Sequence, residues 1–179
     1  MTGAPARPAL RRRAVWVGLV VALIVVADQV TKSIAVAHWS LVPQEIIGSH
    51  VQLLVTRNSG SAFSRFQSFT PVLAVGAIVI AVVLARAARR ETDMVTLWAL
   101  VLLLGGALGN LGDRFARSPG FLRGNVVDFV QVGWWPVFNL ADSCVTIGAV
   151  LLVGRALFPP RAPADAAAGG TGTAPSETS

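Results

Sequence analysis

The sequence predicts an all-α membrane protein with four transmembrane helices and a small extracytoplasmic β-sheet or loop element on the outer leaflet. Three observations support this class: 54% of the 179 residues are apolar, only 13% are charged, and the mean hydropathy is +0.64. Soluble domains carry about 25% charged residues, which their water-facing surface requires. The composition therefore excludes a soluble enzyme, a disordered protein and a nucleic-acid-binding domain, despite a net charge of +6.

Four apolar stretches match the roughly 20 residues that a transmembrane helix needs. The first could instead be a cleaved signal peptide, because a basic segment precedes it and Ala35–Ala37 matches a small-x-small cleavage site. A retained helix fits better, since Asp28 and Lys32 would separate the apolar core from that cleavage site. We predict helices over about 14–38, 69–88, 94–113 and 137–158.

The basic residues predict the orientation of these helices. Four spans place both termini on one side, together with the loop around Arg86–Arg90, and that side holds nine of the 15 basic residues. The positive-inside rule therefore predicts cytoplasmic termini and outer loops over about 39–69 and 112–136. The chain divides into a basic N-terminus (1–13), a four-helix membrane domain (14–158) and a disordered cytoplasmic tail (159–179).

The outer loops contain signs of structure. Ser49–Thr56 is rich in β-branched residues, and a small-residue turn, Asn58–Ala62, follows it. Trp39, Trp134 and Trp135 suit the aromatic belt at the outer interface. We therefore expect a small sheet that lies on the outer leaflet.

Polar residues within the apolar stretches fall at one depth. At about 1.5 Å per residue, Asp28 lies about 21 Å along the first helix and Asn110 about 24 Å along the third, both counted from the cytoplasmic side. Asp142 lies about 7–8 Å into the fourth helix, counted from the outer side. All three residues are thus predicted near the outer boundary, where buried polar groups are candidates for function.

Two pairs of oppositely charged residues, each close together in the chain, could have either a structural or a functional role. Asp28 and Lys32 are four residues apart on one helix face and could simply anchor the helix end as an ion pair. Asp113 and Arg114 could likewise form a pair at the end of the third helix. Asn110 has no such partner and is expected to line a site.

The residue types narrow the possible chemistry. Cys144 is the only cysteine and His38 and His50 are the only histidines, so neither a disulfide framework nor a metal centre is expected, and we predict no cofactor. Asp128 and Asp142 both stand in apolar surroundings without an adjacent cation. Two such carboxylates, one protonated and one ionised, can activate water. The spacing does not show that they meet.

Five motifs taken together resemble the lipoprotein signal peptidases (signal peptidase II), which are bacterial membrane aspartyl proteases with four transmembrane helices. Each motif alone is weak, but their order and their placement relative to the helices are specific, and they cover about residues 14–158. They are Asp28–Lys32 (DQVTK), Asn58–Phe63 (NSGSAF), Gly109–Arg114 (GNLGDR), Val126–Phe129 (VVDF) and Phe138–Ser143 (FNLADS).

The resemblance implies that Asp128 and Asp142 are the catalytic pair. It implies a substrate groove lined by Asn58, Asn110, Arg114 and Asn139, with a contribution from Asn125, and a supporting role near it for Asp28. Lys32 and Asp113, as members of the two charge pairs, are expected to give structural support as well.

The family's substrates are prolipoproteins whose cysteine already carries a diacylglyceryl group, and cleavage occurs just before that cysteine. The cyclic peptide globomycin blocks the family. The expected partners are therefore lipid-modified prolipoproteins, membrane lipids and a globomycin-type inhibitor, with no nucleic acid. Two other classes stay open: a small ion or proton transporter that uses buried carboxylates, and a non-catalytic membrane scaffold.

Overall fold

The computed structural model describes residues 7–60 and 70–159 and confirms four long apolar helices with a small β-sheet. Three segments lie outside the described residues: residues 1–6 of the predicted basic N-terminus, residues 61–69, which include Ser61–Phe63 of the second motif, and all but the first residue of the predicted tail (159–179). The elements, in chain order, are α1 (Arg7–His38), β1 (Gln44–Ile47), β2 (Val51–Asn58), α2 (Thr70–Arg90), α3 (Met94–Ala116), β3 (Val126–Val132) and α4 (Leu140–Leu157).

The four helices form a membrane-spanning bundle around α3. Each is long and apolar enough to cross a bilayer. Helix α3 packs against the other three, and its glycines allow close approach. A Cβ on Gly106 would lie 2.4 Å from the carbonyl oxygen of Ala141, and one on Gly105 would lie 2.8 Å from the side chain of Ile24. The outward faces carry exposed apolar side chains, as a lipid-facing surface requires.

Two helices begin at positions different from those predicted. Helix α1 starts at Arg7 rather than at about residue 14, because arginine and alanine are good helix formers and the basic segment continues the helix. Helix α4 starts at Leu140 rather than at about residue 137. The preceding residue, Phe138, pairs with Val130 in a β-bridge, and Asn139 then caps the helix.

A three-stranded antiparallel sheet in the order β1-β2-β3 covers one end of the bundle. Strand β2 agrees with the strand expected near Ser49–Thr56, whereas β3 was not predicted as a strand. The sheet packs its Val55, Val127 and Phe129 against Ala35 near the end of α1. This packing fixes β3 against the end of α1.

Ion pairs and hydrogen bonds tie the helices together at the opposite end of the bundle. Asp93 accepts a hydrogen bond from the backbone N–H of Thr96 as the N-cap of α3, and it forms a salt bridge with Arg155 of α4. The guanidinium of Arg13 in α1 donates to the carbonyl oxygen of Glu91. These contacts link α1, α3 and α4 at the end far from the sheet.

Candidate active site

Asp128 lies on β3 and is buried, with only 3% of its surface exposed. Two asparagine side chains donate to it. The Nδ2 of Asn58, at the end of β2, lies 3.2 Å from one carboxylate oxygen, and the Nδ2 of Asn139 lies 2.7 Å from the other. Strand pairing between β2 and β3 thus brings Asn58 and Asp128 together.

Asp142 lies in the first turn of α4 and forms a capping box with Asn139. The backbone N–H of Asp142 donates to Oδ1 of Asn139 at 2.9 Å, and the backbone N–H of Asn139 donates to Oδ2 of Asp142 at 3.1 Å. The other carboxylate oxygen of Asp142 accepts from Nδ2 of Asn110 at 2.8 Å. Asn139 is therefore the N-cap, rather than a residue on the same helical face as Asp142.

Asn139 connects the two aspartates. Its Oδ1 accepts from the helix N-terminus, so its Nδ2 must face the other way, toward Asp128 and Oδ1 of Asn110 (3.1 Å). The bridge between Val130 and Phe138 brings Asn139 next to β3. A continuous network of hydrogen bonds consequently runs from Asp128 through Asn139 and Asn110 to Asp142.

Burial and the neighbouring Asp142 affect the protonation of Asp128. Burial, and after it the negative charge of Asp142, raise the pKa of Asp128 to about 6, against the opposing effect of the donors Asn58 and Asn139. Neighbouring carboxylates resist being ionised together. The arrangement therefore favours the protonated form of Asp128.

A buried charge cluster lies beside this network. The Nζ of Lys32 lies 2.8 Å from carboxylate oxygens of both Asp28 and Asp113, and all three side chains are fully buried. Asp113 also pairs with Arg117 at 2.5 Å. Asp113 and Arg114, for which a structural pair was one of two interpretations, form no salt bridge with each other. Adjacent residues on a helix point in different directions, whereas residues four apart face each other.

The charge cluster orients the network through Asn110. An ammonium group can only donate, so Lys32 binds Oδ1 of Asn110 at 2.8 Å and leaves Nδ2 to face Asp142. Asp28 accepts from the backbone N–H of Ala141 at 3.0 Å and so anchors the first turn of α4. These contacts place Asp28, Asn110 and Asp142 at one level of the bundle, as the counting of helical rise predicted.

Arg114 reaches the loop that follows β2. Its Nη1 is buried and has no hydrogen-bond partner among the described residues. Its Nη2 lies 3.1 Å from where a Cβ on Gly60 would be, and Gly60 has a φ of +83°. The backbone N–H of Gly60 donates to Oδ1 of Asn58 at 2.7 Å, which fixes the Asn58 side chain. An unpaired guanidinium nitrogen thus lies near one of the donors to Asp128.

Not every predicted residue joins the network, and two were missed. Asn125 precedes β3 and its backbone N–H binds the carbonyl oxygen of Ser118, but no hydrogen bond among the described residues links its side chain to either aspartate. Gln29 donates to Asp28, to Asp113 and to the carbonyl oxygen of Gly109. Arg117 pairs with Asp113, and their i, i+4 spacing was a signal that could have revealed it.

Among the described residues, no group of three or more His, Cys, Asp or Glu side chains is placed to hold a metal ion. The groups that meet at the site are the two aspartates and the amide and guanidinium donors around them.

Known proteins resemble this chain over most of its length. The family model described as signal peptidase (SPase) II matches residues 20–158. A lipoprotein signal peptidase of Rhodococcus jostii is 42% identical over 151 residues, covering 84% of this chain and 76% of the relative. One from Mycobacterium tuberculosis is 45% identical over 157 residues, covering 87% and 78%.

Solved structures show the same fold. A structure described as a bacterial membrane enzyme superimposes with a TM-score of 0.67 at 30% identity, covering 80% of this chain and 94% of that one. The multi-pass membrane fold is therefore shared, and neither the transporter nor the scaffold interpretation finds support. Together with the family match over most of its length, this shows that the chain belongs to the signal peptidase II family.

Proposed function

We propose that this protein is a membrane aspartyl endopeptidase that removes signal peptides from diacylglyceryl-modified prolipoproteins, cleaving just before the lipidated cysteine. The observation that carries the proposal is the pairing of Asp128 and Asp142 through Asn139. Family membership supports the substrate class, because the relatives are lipoprotein signal peptidases.

The two aspartates take different roles in the proposed mechanism. Asp142 acts as the base: it removes a proton from the attacking water as the water oxygen bonds to the scissile carbonyl carbon. Asp128, whose pKa is raised to about 6 by burial and by Asp142, donates its proton to the carbonyl oxygen. When the tetrahedral intermediate collapses, Asp142 passes its proton to the leaving nitrogen, and Asp128 recovers one from the gem-diol hydroxyl.

The donors around the pair divide into one that binds the substrate backbone and others that hold the aspartates. The buried Nη1 of Arg114 lacks a partner among the described residues, and a peptide carbonyl would supply one. Asn58 and Asn110 already donate to the aspartates, so they hold those carboxylates in place while the peptide binds. The side chain of Asn125 has no hydrogen bond to either aspartate among the described residues, and its proposed part in the groove rests on its position just before β3. Asp28, Lys32 and Asp113 act as structural support.

The orientation that we propose places both termini in the cytoplasm and the site near the extracytoplasmic face of the bacterial cell membrane. The arginine distribution supports it. Trp134 and Trp135, at the sheet end of the bundle, are 87% and 54% exposed, which suits an interfacial position. A diacylglyceryl group in the outer leaflet would then hold the scissile bond at the level of the aspartates, since each buried methylene contributes about 0.8 kcal/mol.

The experiment that tests this function compares two peptides that differ only in the lipid. Purified enzyme in nanodiscs should cleave the diacylglyceryl peptide and leave the peptide with an unmodified cysteine intact, and a globomycin-type cyclic peptide should block the cleavage. Equal cleavage of both peptides would show that the lipid is not recognised. Reporters fused to Ser179 and to the 39–69 loop test the orientation separately, and a C-terminal reporter on the outer face would contradict it.

A further inference from the structure

A groove opens between α1 and α2 at the end of the bundle opposite to Asp128 and Asp142. These two helices both pack on α3 but make at most marginal contact with each other among the described residues. The groove measures about 510 Å³, within the range of about 300–1,000 Å³ that is usual for small-molecule sites. Its apolar walls are formed by Val17, Gly18, Val21, Ala85, Ala88 and Leu104.

Three arginines line the same groove: Arg11, Arg13 and Arg89. Neither Arg11 nor Arg89 forms a salt bridge within the described residues, and Nε of Arg13 is buried there without a hydrogen-bond partner.

The carboxylates that follow α2 in the chain form no salt bridge with these arginines among the described residues. The carboxylate of Glu91 accepts from backbone N–H groups of residues 92 and 93, and Asp93 is paired with Arg155. Among the described residues, three arginines thus line the groove, and the one nearby carboxylate without a salt bridge is that of Glu91, which leaves a net positive charge at the mouth of the groove.

We propose that this groove is a binding site for one anionic phospholipid, with its phosphate against the three arginines and an acyl chain along the apolar walls. An anionic headgroup matches the net positive charge, whereas the basic start of a signal peptide would be repelled by it. Juxtamembrane basic residues attract anionic lipids. In the proposed orientation this lipid belongs to the cytoplasmic leaflet; the binding itself does not depend on the orientation or on the peptidase activity.

Gly18 allows the apolar part of the site to be tested without disturbing the packing. A Cβ on Gly18 would meet no atom within 4 Å, so Gly18→Leu fills the groove from within. Gly154→Leu is the matched control, because Gly154 is equally open, lies toward the same end of the bundle and does not line the groove. Thermal midpoints of both variants should stay near that of the parent protein, which shows that they fold.

The measurement is native mass spectrometry of detergent-purified enzyme titrated with phosphatidylglycerol or with phosphatidylcholine of identical acyl chains. We expect one phosphatidylglycerol to bind in preference to phosphatidylcholine, and Gly18→Leu, but not Gly154→Leu, to lose it. Absence of any preference in the parent protein, or retention of the lipid by Gly18→Leu, would overturn the proposal.

The charge of the site is tested in the same titration. The double variant Arg11→Gln/Arg89→Gln should bind phosphatidylglycerol about 30-fold more weakly, equivalent to about 2 kcal/mol at 1.4 kcal/mol per tenfold. Arg86→Gln/Arg90→Gln removes the same charge at exposed positions outside the groove and should bind as the parent does. If both double variants lost the same affinity for phosphatidylglycerol, the attraction would come from net charge alone. That result would also overturn the proposal of a specific site.

Discussion

Replacing Lys32 by methionine tests the buried charge cluster that orients Asn110. The substitution keeps the length of the side chain and removes its ammonium group, which lies 2.8 Å from Asp28, Asp113 and Asn110. Arg117 still pairs with Asp113, but Asp28 then becomes a buried carboxylate without a cation. We expect the folded protein to be strongly destabilised.

The size of the effect follows from the burial of the cluster. Breaking a buried ion pair by removing one partner costs about 3–5 kcal/mol. At about 2–4 °C per kcal/mol for a chain of this size, the thermal midpoint should fall by about 6–20 °C. The double variant Lys32→Met/Asp28→Asn should recover part of this loss, because the second substitution removes the stranded charge and keeps an oxygen for the N–H of Ala141.

The assay is thermal unfolding of purified protein in one detergent, followed by the fluorescence of its tryptophans. Arg86→Met is the control, since Arg86 is exposed and the change removes the same unit of charge. Its midpoint should move little. Two results would refute the claim that Lys32 stabilises the fold by pairing with Asp28. One is a small shift of the midpoint for Lys32→Met, and the other is a double variant less stable than Lys32→Met alone.

Three further predictions concern packing, pH and substrate binding. Gly106→Ala should destabilise the protein by about 1–3 kcal/mol in thermal unfolding, because its Cβ would meet the backbone of α4, whereas Gly76→Ala, which meets nothing within 4 Å, should not. The pKa of Asp128 is raised from 3.8 to about 6 in the folded state, so the folded protein binds this proton more tightly than the unfolded chain does. The free energy of unfolding should therefore fall as the pH rises from about 4 to 6. Thermal midpoints measured across this pH range should show the fall for the parent protein and not for Asp128→Asn. Arg114→Ala should slow the cleavage of lipidated peptide chiefly by raising KM, because a donor to the substrate backbone is lost; an unchanged KM would contradict the role given to Arg114.

The membrane-spanning part of the fold could be predicted from the sequence because it depends on local composition. Apolar runs define the spans, and the constant rise of a helix was enough to bring Asp28, Asn110 and Asp142 to one level. The Asp28–Lys32 pair could be predicted for the same reason, since its i, i+4 spacing is a property of any helix.

Contacts between distant segments could not be predicted in this way. Asp128 meets Asn139 because β3 pairs with β2 and because Phe138 bridges to Val130, and no spacing in the chain encodes those pairings. The spacing of Asn139 and Asp142 fits both a shared helix face and a capping box, and the pairing of Phe138 with Val130 decides for the capping box. The apolar run of β3 is too short to distinguish a strand from a buried helical segment.

The peptidase mechanism is tested most directly by converting each aspartate of the pair to asparagine. Asp128→Asn and Asp142→Asn keep the size of the side chain and remove the acid–base function, and Glu45→Gln makes the same change at an exposed position on β1. Cleavage of a lipidated precursor by purified enzyme should fall by roughly 10³-fold or more in either single variant, and the double variant should be hardly worse, because the two residues act as a unit. The control should cleave normally, and all variants should remain folded in the membrane. Near-normal turnover by either single variant would contradict the aspartyl mechanism.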